Sequence, residues 1–150
     1  MKNELYPPHT SSIGNLNANV AALLSYVGSV VISWIPGVRY AAWLVPLAFF
    51  LLEKQSKFVK FHAMQSFLLH LVSAVLTLIV TLVSSAIWGL STSLSTYYYA
   101  AGMAGIFGVI TLVISLVILV FAVIAMVGAY QYKETHIPLL GTLAARLAAK

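Results

Sequence analysis

The feature that most constrains this chain is a run of 72 residues, from Phe61 to Tyr132, that contains no Asp, Glu, Lys or Arg. A soluble chain is about 25% charged, whereas this one is 7% charged and 61% hydrophobic. Its eight basic and three acidic residues cannot cover the surface of a soluble domain. We therefore predict an all-α integral membrane protein, because a helix satisfies its own backbone hydrogen bonds in lipid.

Four transmembrane helices in a small bundle are predicted, since one span takes about 20 mostly apolar residues. Pro36 and Gly37 interrupt the first apolar region and favour a helical hairpin there. The polar residues 1–16 are expected to form a flexible tail, and residues 17–150 a single membrane domain. The predicted spans are residues 18–35, 40–52, 61–88 and 103–131, followed by a short C-terminal interfacial helix at 138–149.

The basic residues predict how these spans are oriented. Four spans place seven of the eight Lys and Arg residues on the side of both termini, and Arg39 alone on the other side. Because cytoplasmic loops are rich in Lys and Arg, both termini are expected in the cytoplasm, with the protein in the cell membrane. A single kinked span over residues 18–52 stays open as the alternative, although it would leave Arg39 near mid-membrane at a cost of about 2.5–3.5 kcal/mol.

One face of the third predicted span is polar. At about 100° per residue, its eight polar side chains fall within about 160° of the helix surface. They are His62, Gln65, Ser66, His70, Ser73, Thr77, Thr81 and Ser84. Polar groups in hydrocarbon need partners, so this face is expected to look inward. It would either line a polar conduit or supply hydrogen bonds between helices.

Small residues recur on one face of the first span and on one face of the fourth. Such stripes let two helix backbones approach closely, which is how membrane helices commonly associate. We expect helix-packing seams here, with a lined pathway as the alternative. The stripes contain Ala22, Ser25, Ser29 and Ser33 in the first span, and Gly105, Gly108 and Ser115 in the fourth.

A basic juxtamembrane loop between the second and third spans mixes cations with aromatic side chains. Its lysines are Lys54, Lys57 and Lys60, and its aromatic residues are Phe58 and Phe61. Lysines near a membrane attract anionic headgroups, and exposed phenylalanines can enter the acyl boundary. The loop is therefore expected to contact anionic lipid, unless it is an ordinary solvated loop.

No pattern in the chain predicts catalysis, a cofactor or a bound metal. His62 and His70 lie about 12 Å apart along one helix, which is too far for them to share a metal ion. The sequence contains no Asp to orient a histidine, and Glu53 and Glu134 are expected in solvated ion pairs with lysines. We expect no enzyme, no cofactor and no nucleic-acid partner.

Two segments resemble a known family. Residues 53–66 read EKQSKFVKFHAMQS, and residues 129–144 read AYQYKETHIPLLGTLA. Both resemble a widespread bacterial and archaeal family of small multi-pass membrane proteins of unknown function. That family is related to the twenty-kilodalton component of the chloroplast inner-envelope import translocon (Tic). The resemblance implies a four-helix membrane fold with both termini inside and, by analogy, a role in moving polypeptides or other solutes.

Two functions are compatible with this sequence. The first is a non-enzymatic, channel-like or translocation-associated component that uses the polar face of its third span. The second is a membrane scaffold or adaptor that recruits partners or anionic lipid through its basic loop and C-terminal helix. Expected partners are the lipid bilayer, anionic lipid, and a second copy of the chain or another membrane protein. A hydrated polar face would favour the first function, and a face filled by neighbouring helices the second.

Overall fold

The computed structural model describes residues 3–35, 37–38, 41–90 and 93–149. Within these ranges the fold is helical, as predicted, with five helices and one two-stranded antiparallel sheet. The helices are α1 (Ala18–Ser33), α2 (Leu44–Leu52), α3 (Lys57–Gly89), α4 (Leu94–Tyr130) and α5 (Leu140–Ala148). The strands are β1 (Asn3–Leu5) and β2 (Lys133–Thr135).

Two helices, α3 and α4, are long and apolar enough to cross a membrane, with 33 and 37 residues. The other two predicted spans are shorter, since α1 has 16 residues and α2 has 9. At 1.5 Å per residue they extend about 24 and 14 Å, less than a hydrocarbon core of about 30 Å. α1 and α2 contact each other on either side of the predicted break, where Pro36 and Arg39 lie outside the described residues. The helix lengths therefore do not establish four membrane crossings.

The helices α3 and α4 each begin before the predicted start, because a serine caps the first turn. Ser56 Oγ accepts a hydrogen bond from the Val59 N–H at 3.2 Å. Ser93 Oγ accepts one from the Thr96 N–H at 3.3 Å, and the Thr96 hydroxyl oxygen accepts one from the Ser93 N–H at 2.9 Å. Such bonds satisfy N–H groups that have no partner inside the helix. Both helices therefore extend beyond the apolar stretches that predicted them.

The chain divides into two compact units, which differ in how much of their surface is buried. The first unit contains Met1–Leu71 and Val120–Lys150, and the second contains Val72–Leu119. Small alanines packed with Phe58 and Val59 form a fully buried cluster in the first unit. The second unit has no charged residue in its sequence, and many of its large apolar side chains are exposed. Exposed apolar surface of this extent is normally covered by lipid or by another protein.

The N-terminal segment, for which a flexible tail was predicted, is tethered to the first unit. Its strand β1 pairs with β2. Further along, the Ser12 hydroxyl donates to Glu53 Oε1 at 2.7 Å, and His9 Nε2 lies 2.7 Å from Ser56 Oγ. The polar residues that predicted a tail therefore supply side chains that bond to the turn between α2 and α3.

The helix α5 packs on α3 through its smallest residues. Gly141 and Ala144 are buried, and a Cβ atom at Gly141 would lie 2.9 Å from Gln65 Oε1 of α3. The apolar cluster at this contact comprises Phe61, Met64, Leu68 and Ala144. The predicted C-terminal helix is therefore docked on the first unit through one face, while its opposite face remains exposed.

Candidate functional site

The first half of the predicted polar face lies in a buried hydrogen-bond network, with Gln65 at its centre. Gln65 is 0% exposed. Its amide N–H groups donate to Tyr26 Oη at 3.1 Å and to the Thr135 carbonyl at 3.0 Å. Its side-chain carbonyl accepts from the Ile137 N–H at 3.0 Å. One amide thus joins α3 to α1, to β2 and to the segment before α5.

His62 and Ser66 extend the same network and are also fully buried. His62 Nε2 donates to the Lys133 carbonyl at 3.0 Å, since a carbonyl can only accept. The other ring nitrogen, Nδ1, lies 3.4 Å from Tyr26 Oη and is left to accept from it. Ser66 Oγ donates to the Ser25 carbonyl of α1 at 3.1 Å. Protein atoms therefore occupy the positions that water would take in a hydrated face.

The rest of the predicted polar face is not gathered into this network. The half-buried His70 has Nδ1 2.9 Å from the carbonyl of Ser66, one turn earlier in its own helix. The remaining polar positions are half-buried or exposed: Ser73, Ser84, Thr77 and Thr81. The structure therefore brings three of the eight predicted residues into one buried site and leaves five outside it.

Hydroxyl groups meet again inside the second unit, around a small cavity between α3 and α4. Ser73 and Thr77 line it from α3, and Thr111 and Ser115 line it from α4. The Thr111 hydroxyl donates to the Phe107 carbonyl at 2.8 Å. The cavity measures about 20 Å³, which is room for about one water molecule. It is a candidate hydration site rather than an open path.

The two predicted packing stripes have different surroundings. The α1 stripe is buried or half-buried in the first unit: Ala22, Ser25, Ser29 and Ser33. The α4 stripe is exposed at each of its predicted positions: Gly105, Gly108 and Ser115. A Cβ atom at either glycine would meet no heavy atom within 4 Å among the described residues. Within the part of the chain that the structure describes, the α1 stripe therefore packs, whereas of the α4 stripe Ser115 alone reaches another helix, at the cavity shared with α3.

The basic juxtamembrane loop is in fact the short connection after α2, residues 53–56, and the first part of α3. Lys54 and Lys57 are exposed and Lys60 is half-buried. Phe58 and Phe61 are only 0% and 2% exposed, so the expectation that they enter the acyl boundary is wrong. Because α3 begins at Lys57, both rings face the protein interior, as the contacts of the Phe58 ring with His62 and of the Phe61 ring with His136 show.

Glu53 is a buried carboxylate that sequence reasoning placed wrongly in a solvated ion pair. It is 1% exposed and accepts hydrogen bonds from the hydroxyls of Ser11 and Ser12. The N–H groups of Gln55 and Ser56 also donate to it, at 2.9 and 3.0 Å. Burial alone would raise the pKa of Glu53, but these hydrogen bonds outweigh burial and lower the pKa to about 2. The carboxylate therefore fastens the N-terminal segment to the start of α3.

Glu134 is likewise buried rather than paired with a lysine. Its carboxylate accepts from Tyr6 Oη at 2.8 Å and lies 3.1 Å from His136 Nε2. Burial, together with the nearby Glu134 carboxylate, raises the pKa of Tyr6 to about 12. The donors to these carboxylates are the hydroxyls of Ser11 and Ser12 for Glu53 and the hydroxyl of Tyr6 for Glu134. The sequence shows these hydroxyl groups but not which distant carboxylate each one contacts. Within the described ranges, His, Asp and Glu side chains form no group of three or more that could hold a metal ion.

Comparison with known proteins gives one match. The model of the magnetosome magnetite crystal formation protein family matches residues 17–144. No curated protein and no solved structure matches the chain. Both segments that resembled the translocon-related family, residues 53–66 and 129–144, lie inside the matched range. The resemblance to that family is therefore wrong, and no relative links this chain to a translocon or to transport.

Proposed function

Because this chain belongs to the magnetosome magnetite crystal formation protein family, we propose that it is a multi-pass protein of the magnetosome membrane. In this proposal it supports magnetite formation as a non-enzymatic scaffold. The proposed location is therefore the magnetosome membrane, rather than the cell membrane that was expected from the sequence. The family role is membrane-associated, in keeping with the two long apolar helices of the structure.

The observation that carries the scaffold proposal is the filled polar network around Gln65. A conduit along α3 would need these side chains to face water, but His62, Gln65 and Ser66 are fully buried and bond to protein groups. In a membrane, polar side chains placed in this way fix how helices associate. The network therefore favours a rigid framework that presents its outer surfaces to lipid and protein partners.

The membrane arrangement that we propose has α3 and α4 as crossing helices with both termini on the cytoplasmic side. Of the charged residues, seven of eight Lys and Arg fall on that side, and the stretch from Val72 to Leu119 carries none. α1 and α2 are too short to cross individually, so the hairpin enters and leaves from the cytoplasmic side. Full crossing by this hairpin, as the four-span prediction has it, would leave the termini on the same side.

The scaffold proposal is tested in a magnetite-forming cell from which the gene has been removed. Electron microscopy should show crystals altered in size, shape or number, and the wild-type gene should restore them. A fluorescent fusion should co-fractionate with magnetosome membranes and resist washing at high salt and alkaline pH. Unaltered crystals in the deletion strain would contradict the proposed role, and release by washing would contradict membrane insertion.

The hydroxyl-lined cavity of the second unit favours a second candidate, a polar conduit between α3 and α4. Ser73, Thr77, Thr111 and Ser115 would be its lining. A space of about 20 Å³ holds about one water, so this candidate requires the cavity to open further. Single cysteines placed along α3 test this candidate, because a hydrophilic thiol reagent modifies a cysteine in a hydrated lining and leaves one in a dry lining unmodified.

A further inference from the structure

The exposed side of α5 borders a groove of about 780 Å³. Its wall is one face of the helix, because Thr142, Arg146 and Ala149 are spaced at about one turn. Pro138 and Leu139 line the end of the groove that precedes the helix. The volume lies within the range of about 300–1,000 Å³ that is typical of ligand sites.

The groove has an apolar end and a cationic end. Leu139 is 88% exposed at the apolar end. About two turns further along the chain, Arg146 is exposed, and among the described residues it forms no ion pair. The described residues that line the groove include no carboxylate. His136 also lines it, with Nε2 held 3.1 Å from Glu134 Oε1, so Arg146 is the cation left to meet a ligand.

The backbone holds Leu139 outward at an energetic cost. Its φ is 65° and its ψ is −54°, and the Leu140 N–H donates to the Pro138 carbonyl at 2.8 Å. These values describe a γ-turn of the rare, strained form, which glycine would adopt more easily than leucine. Strained backbone conformations cluster at ligand-binding and active sites, which makes this turn a candidate edge of a binding site.

We infer that this groove binds an anionic phospholipid, with the phosphate at Arg146 and Thr142 and the acyl region against Leu139. Arg offers a planar set of N–H donors that matches phosphate oxygens, and the hydroxyl of Thr142 adds a further donor. The apolar end gives the lipid chain a contact that a free phosphate ion lacks. The inference rests on the membrane placement proposed above, and it gives that scaffold a preference for one class of lipid.

The test uses the purified full-length protein in mild detergent, titrated with fluorescent phosphatidylglycerol and, separately, with phosphatidylcholine. The wild type should bind phosphatidylglycerol more tightly. Arg146→Gln should weaken phosphatidylglycerol binding about fivefold and reduce the preference between the two lipids. Leu139→Gly should weaken binding of both lipids, roughly tenfold if half of the leucine transfer free energy is realised, while relieving the strained turn.

The matched control is Lys133→Gln, which removes an exposed cation outside both the groove and the basic juxtamembrane loop and should leave the affinity unchanged. Circular dichroism shows whether each variant is folded. If Arg146→Gln does not fold, Thr142→Val is used in its place. Equal binding by the wild type and the groove variants would overturn the inference, as would an equal loss in Lys133→Gln. Displacement of the lipid by inorganic phosphate at the same concentration would indicate an ion site instead. A protein that stays in washed membranes but shows no lipid preference fails this inference alone.

Discussion

Replacing Gln65 by Leu should destabilise the protein, because it removes the hydrogen bonds that join α3 to three other segments. Leucine has a similar volume but cannot replace the bond from the Ile137 N–H at 3.0 Å or the bond to the Thr135 carbonyl at 3.0 Å. Each buried group left without a partner costs about 1–3 kcal/mol. Burying leucine costs less desolvation free energy than burying the glutamine amide, and this difference offsets part of the loss. The expected net loss is about 3 kcal/mol of unfolding free energy.

The loss is measured by denaturant or SDS titration of the purified protein in mild detergent, followed by far-ultraviolet circular dichroism. Thr77→Val on the same helix is the matched control, because Thr77 is exposed and lies outside the network. A double-mutant cycle combines Gln65→Leu with Tyr26→Phe, whose effects should not add, since the two side chains share a hydrogen bond of 3.1 Å. A loss below about 0.5 kcal/mol for Gln65→Leu, equal to the control, would refute the reasoning.

Three further predictions concern pH, packing and topology. Folding lowers the pKa of Glu53 from 4.5 to about 2, so the free energy of unfolding should drop by about 3 kcal/mol between pH 5 and pH 2. Denaturation measured across this pH range should show a smaller drop for Glu53→Gln. Gly128→Ala should lose about 1–3 kcal/mol in the same denaturation assay because its Cβ would collide with the side chain of Thr135, whereas Gly108→Ala meets open space and should gain about 0.5–1 kcal/mol. In isolated intact magnetosomes, protease should remove a C-terminal tag, whereas Ser95→Cys should react with an impermeant thiol reagent only after the membrane is opened; the reverse pattern would contradict the topology.

The helical framework was predictable because burial in lipid leaves few alternatives for an apolar backbone. The uncharged run from Phe61 to Tyr132 predicted two long helices, and both are present. The polar face of α3 was also visible in the sequence, since His62, Gln65 and Ser66 recur at helical spacing. Their spacing indicated that they share a face, but not whether protein or water would occupy it.

The contacts between distant segments could not be predicted from local patterns. Ser12 and Glu53 are separated by 41 positions, and neither residue type specifies the other as a partner. The pairing of β1 with β2 involves strands of three residues each, too short to give an alternating pattern. The phenylalanines of the basic segment were misplaced for a related reason. A helix that starts at Lys57 turns Phe58 and Phe61 inward, whereas a loop would leave both rings free.

The most direct test of the central claim, a scaffold rather than a hydrated conduit along α3, is thiol labelling of single cysteines in isolated magnetosomes. The polar-face positions are Ser73, Thr77 and Thr81, the opposite-face controls are Leu71, Leu78 and Leu82, and the accessible control is Lys54. A small hydrophilic reagent should modify the cysteine at Lys54 and none of the other six. Labelling confined to the polar-face cysteines would contradict the scaffold and establish a hydrated conduit along α3.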